Sequence, residues 1–305
     1  MPTMHIACVQ LASKPFDPAA NLDKAAALIT RAAEEGANII LLPEVFNPGY
    51  SLVDKSYVYA EPINGTTVSR MCELAASLGV FIAGGLGERT GRDFYNAMIF
   101  VGPTGLLGHY RKRFVTSLEN KYWKRGNAGL VIETRFGAIG LGICADMQHA
   151  DMWREYAGKV DLVLICSAWG RPEKHATTAY ARSEERQCKE LPAQISRCLH
   201  VPVAYCNAAH ECEGSLPLVG KMYCLGHSKI VDDGKVVAAL DSSDEAILHG
   251  TVETKENRAE VCVSAFKPWV RHSLVERLTS FFVDGIGGWY GRAYYARHKR
   301  CHAPA

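Results

Sequence analysis

Residues 137–148 read GAIGLGICADMQ. The run from Gly137 to Ile143 is apolar throughout, and its length and composition are those of a buried strand. Cys144 stands at the C-terminal end of that strand, where a rigid scaffold can aim a side chain. Gly137, Gly140 and Gly142 let neighbouring chain approach closely. Asp146 and the polar pair Gln148-His149 interrupt what would otherwise continue as core, and a helix is predicted near 149–157. Backbone N–H groups at such a strand-to-helix junction can point at an oxyanion. A cysteine here reads either as a buried core residue or as a nucleophile acting through its thiolate. Asp146, Gln148 and His149 favour the nucleophile.

Short apolar runs alternate with helical spacings on either side. Residues 5–12 (HIACVQLA) predict a buried strand. Asp17 before Pro18 is a helix start, Leu22, Ala25, Ala26, Ile29, Ala32 and Ala33 follow at helical spacing, and Gly36 is a stop. Asn38 to Leu42 (NIILL) is the next strand. Residues 67–78 predict a helix, 80–86 (VFIAGGL) a strand, and 96–112 a hairpin around the turn GPTG, with Lys112 at its far end. Strands are expected at 161–166 and 201–207, with a longer polar helix between them at 174–199. Late in the chain Asp232-Asp233-Gly234 marks a hairpin turn, and a strand near 260–265 would close the core. The class is α/β.

The 305 residues hold 48% hydrophobic and 22% charged side chains and a net charge of +2. That balance suits a globular enzyme and gives no reason to expect nucleic acid as a partner. No run of 18 apolar residues predicts a membrane span. The N-terminus MPTMHIACVQLA lacks the charge-then-apolar order of a secretory leader, which points to the cytoplasm. The 11 cysteines include no CxxC pair and read as reduced thiols. Cys206, His210 and Cys212, and His298, Cys301 and His302, lie close in sequence, but their spacings match no zinc pattern, so no metal is expected. One domain is expected over residues 1–268. Residues 269–305 form an aromatic and basic arm. Its Gly285, Gly287 and Gly288 argue against a long continuous helix, and contact with a second subunit is favoured over a membrane surface.

Two further segments join Cys144. Glu44 follows the apolar Leu41-Leu42-Pro43, and a carboxylate there is costly unless solvated or paired. Lys112 lies in Arg111-Lys112-Arg113, a basic run that alone would read as a solvated face. A glutamate can take a thiol proton, and a lysine can stabilise a tetrahedral intermediate. Together the segments resemble the nitrilase superfamily, the carbon–nitrogen hydrolases with a Glu-Lys-Cys triad. The resemblance covers residues 5 to about 265. Its matches are Pro43-Glu44 with Gly49-Tyr50, Tyr110-Arg111-Lys112, Gly140 to Asp146, and Gly226-His227-Ser228 with Gly234.

The resemblance implies a four-layer α-β-β-α sandwich, pairing into a homodimer or higher homo-oligomer. It implies Glu44 as general base, Lys112 as oxyanion stabiliser, Cys144 as nucleophile, and Glu119 as a second glutamate orienting the lysine or the substrate. The N–H of Ala145 would share the oxyanion, and no cofactor is needed. Tyr50, Trp169 and Arg171 are expected at the pocket, Trp169 as an apolar wall and Arg171 as a carboxylate anchor. The implied activity is hydrolysis of a non-peptide carbon–nitrogen bond through a cysteinyl thioester, the substrate being a small amide or N-carbamoyl compound. Ala145-Asp146 replaces the Trp-Glu of true nitrilases, which speaks against nitriles. An acyltransferase or a non-catalytic scaffold on the same fold are the remaining alternatives, and the intact Glu44, Lys112 and Cys144 argue against the scaffold.

Overall fold

A computed structural model describes residues 2–116, 118–172, 179–216, 220–254, 269 and 285–302. Strand β1 (Thr3–Gln10) is buried on both faces. Met4, Ile6 and Cys8 face one core, and Ala7 and Val9 face another, as the two-residue period of a strand requires. Helix α1 (Pro18–Glu34) starts where the Asp17 carboxylate accepts the Ala20 N–H at 3.2 Å, and its stripe Leu22, Ala25, Ile29 and Ala32 packs in that second core. Then come β2 (Ile39–Leu41), α2 (Lys55–Val58), α3 (Thr66–Leu78), β3 (Phe81–Thr90), β4 (Asp93–Gly102) and β5 (Gly105–Arg111). The second half holds β6 (Val131–Thr134), β7 (Gly137–Ile143), α4 (Ala150–Tyr156), β8 (Leu162–Ser167), β9 (Gly170–Pro172), α5 (Ala179–Leu199), β10 (Val203–Asn207), β11 (Glu211–Leu216), β12 (Gly220–Cys224), β13 (Lys229–Asp232), β14 (Lys235–Ala239), β15 (Ala246–Glu253) and α6 (Gly287–His302).

Among the described residues, two six-stranded sheets run in the orders β15-β1-β2-β3-β4-β5 and β14-β13-β10-β8-β7-β6, and β11-β12-β9 form a small third sheet. Each large sheet has a parallel centre and antiparallel flanks. Helices α1 and α3 cover the first sheet. Met4, Ile6, Leu41 and Met98 of the first sheet meet Ile139, Leu141 and Ile143 of the second, and α4 and α5 close the far side through Trp153, Tyr156, Leu191 and Ile195. The fold is the four-layer α-β-β-α sandwich. Among the described residues, no helix is long and apolar enough to cross a membrane.

Most expected elements are present within a few residues of their expected ends. The strand at 260–265 and the first residues of the helix at 174–199 lie outside the described residues. The strand that covers β1 is β15, whose register runs from Thr3 opposite Glu253 to Gln10 opposite Ala246. The aromatic arm departs from expectation: Gly287 to His302 form one continuous helix of 16 residues. Gly287 and Gly288 occupy its first turn, where intrahelical N–H bonds are missing in any case. The cost of its glycines, about 1 kcal/mol for each in a helix interior, is offset by burial of Tyr295 among Tyr57, Phe94, Tyr122 and Trp123.

Candidate active site

Glu44 leaves the end of β2 through a tight turn. Val45 adopts φ +47, a left-handed conformation that costs a β-branched residue dearly. Gly85 of β3 makes room for this turn, since a Cβ there would lie 2.6 Å from the Glu44 Cα. The carboxylate is fully enclosed, with 1% of the residue exposed. Its Oε1 accepts from Asn96 Nδ2 at 2.6 Å and Lys112 Nζ at 2.8 Å. Its Oε2 accepts the Ala168 N–H at 2.7 Å, a bond that crosses to the end of β8 in the other sheet.

The basic run 111–113 does not form a solvated face. Arg111 turns to Glu88 at 2.7 Å, and Arg113 pairs with Glu155 at 2.8 Å. Lys112 points inward, buried, and bonds both Glu119 oxygens at 2.8 and 2.9 Å as well as Glu44. Glu119 opens a 3-10 turn, Glu119–Lys121, and also accepts the Thr116 N–H at 2.9 Å. Asn96 donates to Glu119 at 3.1 Å through the same amide that holds Glu44.

Two carboxylates share one ammonium, so their ionisations diverge. Burial pushes the Glu44 carboxyl above its ordinary value, Lys112 opposing and Glu119 adding to the rise. Burial acts on Glu119 too, but Lys112 and the Thr116 amide hold it below its ordinary value. Burial opposes the charge of Lys112, yet Glu119 and Glu44 keep it protonated, well above its usual value.

Cys144 begins a 3-10 turn, Cys144–Gln148, directly at the end of β7 and adopts φ +46. Asp146 ties this turn down. Its Oδ2 accepts the Ile143 N–H at 2.9 Å and the Tyr110 hydroxyl at 2.8 Å, and its Oδ1 accepts the Phe114 N–H at 3.0 Å. Burial raises the Asp146 carboxyl to about 6 against the pull of Lys112 and these donors. Cys144 retains some accessible surface, as access to a substrate requires. Its sulfur is nonetheless hemmed in: burial first, then Glu44, raises the thiol well above its ordinary value, while Lys112 and a hydrogen bond with Ser167 lower it. The first N–H groups of a helical turn have no partner within it, and Ala145 supplies one such N–H beside the sulfur.

The structure therefore brings Glu44, Lys112, Glu119 and Cys144 into one electrostatic cluster. Trp169 is buried, with its indole N–H on Glu184 at 3.0 Å. Tyr50 packs on the small cluster of Ala168 and Cys224. Arg171, partly exposed, pairs with Glu185 at 3.2 Å. Sequence reasoning missed Asn96, Ser167 and Asn207. Asn207 is buried and grips the Trp169 backbone, accepting its N–H at 2.7 Å and donating to its carbonyl at 3.0 Å. Ser228 donates to Gln10 at 2.8 Å and accepts the Asn207 N–H at 3.0 Å. The available signal was a polar residue in strands otherwise buried on both faces.

An α-β-β-α enzyme with such a cluster between its sheets has clear relatives. The family model for carbon-nitrogen hydrolase matches residues 5–259. A probable nitrilase of Schizosaccharomyces pombe is 30% identical over 258 residues, 82% of this chain and 88% of the relative. The omega-amidase NIT2 of Mus musculus is 29% identical, over 84% and 91% of the two chains. The crystal structure of XC1258 from Xanthomonas campestris, a CN-hydrolase superfamily protein with an arsenic adduct in its active site, superposes with a TM-score of 0.69 at 25% identity, covering 83% of this chain and 91% of that one. The chain belongs to the carbon–nitrogen hydrolase family of the nitrilase superfamily and is a hydrolase.

Proposed function

We propose that the protein hydrolyses the carbon–nitrogen bond of a small amide or N-carbamoyl compound through a thioester on Cys144. The observation that carries this is the buried Lys112 ammonium, bonded to Glu44 and Glu119 at 2.8 Å beside the Cys144 thiol. Glu44 takes the thiol proton and the thiolate attacks the carbonyl carbon. Lys112 and the Ala145 N–H receive the oxyanion. The tetrahedral adduct collapses, Glu44 returns its proton to the departing nitrogen, and ammonia or an amine leaves. Water then attacks the thioester with Glu44 again as base, and the acid product and the Cys144 thiol are released. Glu119 holds Lys112 in place. Tyr50 and Trp169 wall the substrate, and Arg171 binds a substrate carboxylate by exchanging its Glu185 partner. No step requires a cofactor or metal.

A nitrile substrate is the second reading, supported by the name of the Schizosaccharomyces pombe relative and opposed by Ala145-Asp146 after the cysteine. Ammonia release across small amides, N-carbamoyl amino acids and amines, and nitriles, with Cys144→Ala as the blank, separates the two. Release from nitriles alone would overturn the amide reading. The composition supports a cytoplasmic enzyme. The arm at 269–305 supports a homodimer, because Trp289 and Tyr290 in the first turn of α6 stand 66% and 53% exposed and Ile286 just before it 55%. Deleting residues 270–305 should halve the particle mass seen by light scattering, and a particle that stays dimeric, lighter only by the deleted residues, would remove the arm from the interface.

A further inference from the structure

Helix α6 lies beyond residue 259, where the family match ends. It packs on α2 and on the Glu119–Lys121 turn. Tyr295 stands at the centre of this contact. Its ring is buried among Tyr57, Phe94, Tyr122 and Trp123. Its hydroxyl accepts the Phe94 N–H at 2.9 Å and donates to Asp93 at 3.3 Å. Lys299 of the same helix also grips Asp93. Lys121 lies over the Tyr290 and Tyr294 rings, 5.3 and 5.5 Å from their centroids, a cation–π geometry. Tyr57 donates to the Lys121 carbonyl.

The two segments that α6 grips are those that hold the buried ion cluster. Phe94 is two residues from Asn96 on β4, so the Asn96 amide depends on where that strand end sits. The Phe94 carbonyl also accepts the Lys124 N–H at 2.8 Å, which ties the strand to the chain leaving the Glu119 turn. Trp123 lies over Gly87, directly across from Asn96, and a Cβ at residue 87 would meet its ring at 2.8 Å. The Trp123 N–H bonds the Glu119 carbonyl at 2.9 Å. Asn96 and Glu119 between them fix Lys112 and Glu44.

We propose that α6 is a clamp on the acid–base half of the active site, with Tyr295 as its central positioning residue. The inference rests on the proposed roles of Cys144, Glu44 and Lys112. Tyr295 touches none of the reacting groups. It acts through Phe94 and Asn96 on one side and through Tyr122, Trp123 and Glu119 on the other. The same chemistry on a chain without α6 would have to secure the Glu119 turn by other means.

The test reads Cys144 directly and needs no identified substrate. Full-length protein is alkylated with iodoacetamide from pH 6 to about 11, and the Cys144 peptide is followed by mass spectrometry, with Cys72 on α3 as the internal reference. Tyr295→Phe keeps the ring and loses the hydroxyl. Tyr295→Ala loses both. Tyr294→Phe loses only a bond to Asp54 at the periphery. Loosening the clamp unseats the ammonium that favours the thiolate. Alkylation of Cys144 should therefore slow about threefold at neutral pH in Tyr295→Ala, as its pH midpoint moves up by about half a unit. Tyr295→Phe should shift both less, and Tyr294→Phe should match wild type. Normal Cys144 rates and midpoints in both Tyr295 variants, with circular dichroism showing them folded, would overturn the clamp. Wild-type Cys144 that stays unalkylated at every pH while Cys72 reacts would instead overturn the nucleophile.

Discussion

The site has two halves built on opposite principles. The first sheet and its loops deliver Glu44, Asn96, Lys112 and Glu119, which hold one another through short bonds, two carboxylates sharing one ammonium. The second sheet delivers Cys144 on a left-handed residue at the head of a five-residue turn, secured from below by Asp146. The first half is over-determined and spends its strain at Val45, away from the reacting atoms. The second carries strain on Cys144, the proposed nucleophile. Proton-handling groups need fixed distances to keep their ionisations apart, whereas a nucleophile needs a free lobe and an open approach.

The largest effect that would break this contrast is Cys144→Ala. Turnover should fall by about 10⁴-fold or more while the melting temperature stays near wild type, because Ala keeps the turn and removes only one sulfur atom. A large loss of stability would mean that the thiol is structural. Glu44→Gln should lower kcat by about 10²- to 10⁴-fold and cost about 1–3 kcal/mol of stability, because the amide N–H2 must face one of the donors that Glu44 accepts. Its pH dependence follows from the raised Glu44 pKa. A carboxyl raised on folding favours the native state when protonated, and that contribution is lost as pH rises through its folded value. Glutamine no longer titrates, so its deficit against wild type should shrink as pH rises, which thermal melts across pH check.

Lys112→Met leaves two buried carboxylates without their cation, and unfolding free energy should fall by about 3–5 kcal/mol. Urea titration should show the deficit growing with pH as both carboxyls are forced to ionise. Asp146→Asn sharpens the other half. One of the three donors on Asp146 loses its acceptor, at a cost of about 1–3 kcal/mol. The Asp146 carboxyl, raised to about 6, also makes wild type less stable as pH climbs from about 4 to 6. That slope should be shallower in the variant when ΔG is followed against pH.

Glu44 and Cys144 were legible because each follows an apolar run that announces a strand end, whereas Lys112 sat in a basic run at a hairpin end and Glu119 came from the family resemblance. The layers were legible from runs such as NIILL and VFIAGGL, whose uniform apolarity marks strands covered on both faces. Strand β15 was not legible. His249, Gly250 and Thr251 dilute its pattern, since it lies at a sheet edge with much of its surface open. Asn96 was not legible as a site residue either. Nothing near it in sequence shows that carboxylates from positions 44 and 119 will converge on its amide. The helix α6 was hidden for a third reason: its glycines lower intrinsic propensity, and the compensation comes from Tyr57, Phe94 and Trp123, all distant in the chain.

The bond from the Ala168 N–H to Glu44 joins one sheet to the other. It makes the active site a gauge of the gap between the two sheets. Any swelling of the layer where Met4, Ile6 and Met98 meet Ile139 and Leu141 stretches this bond before any strand is lost. Catalysis should therefore fail ahead of unfolding when heat, pressure or a trimmed core side chain changes that spacing, and the enzyme's own activity becomes the most sensitive readout of how well its layers are packed.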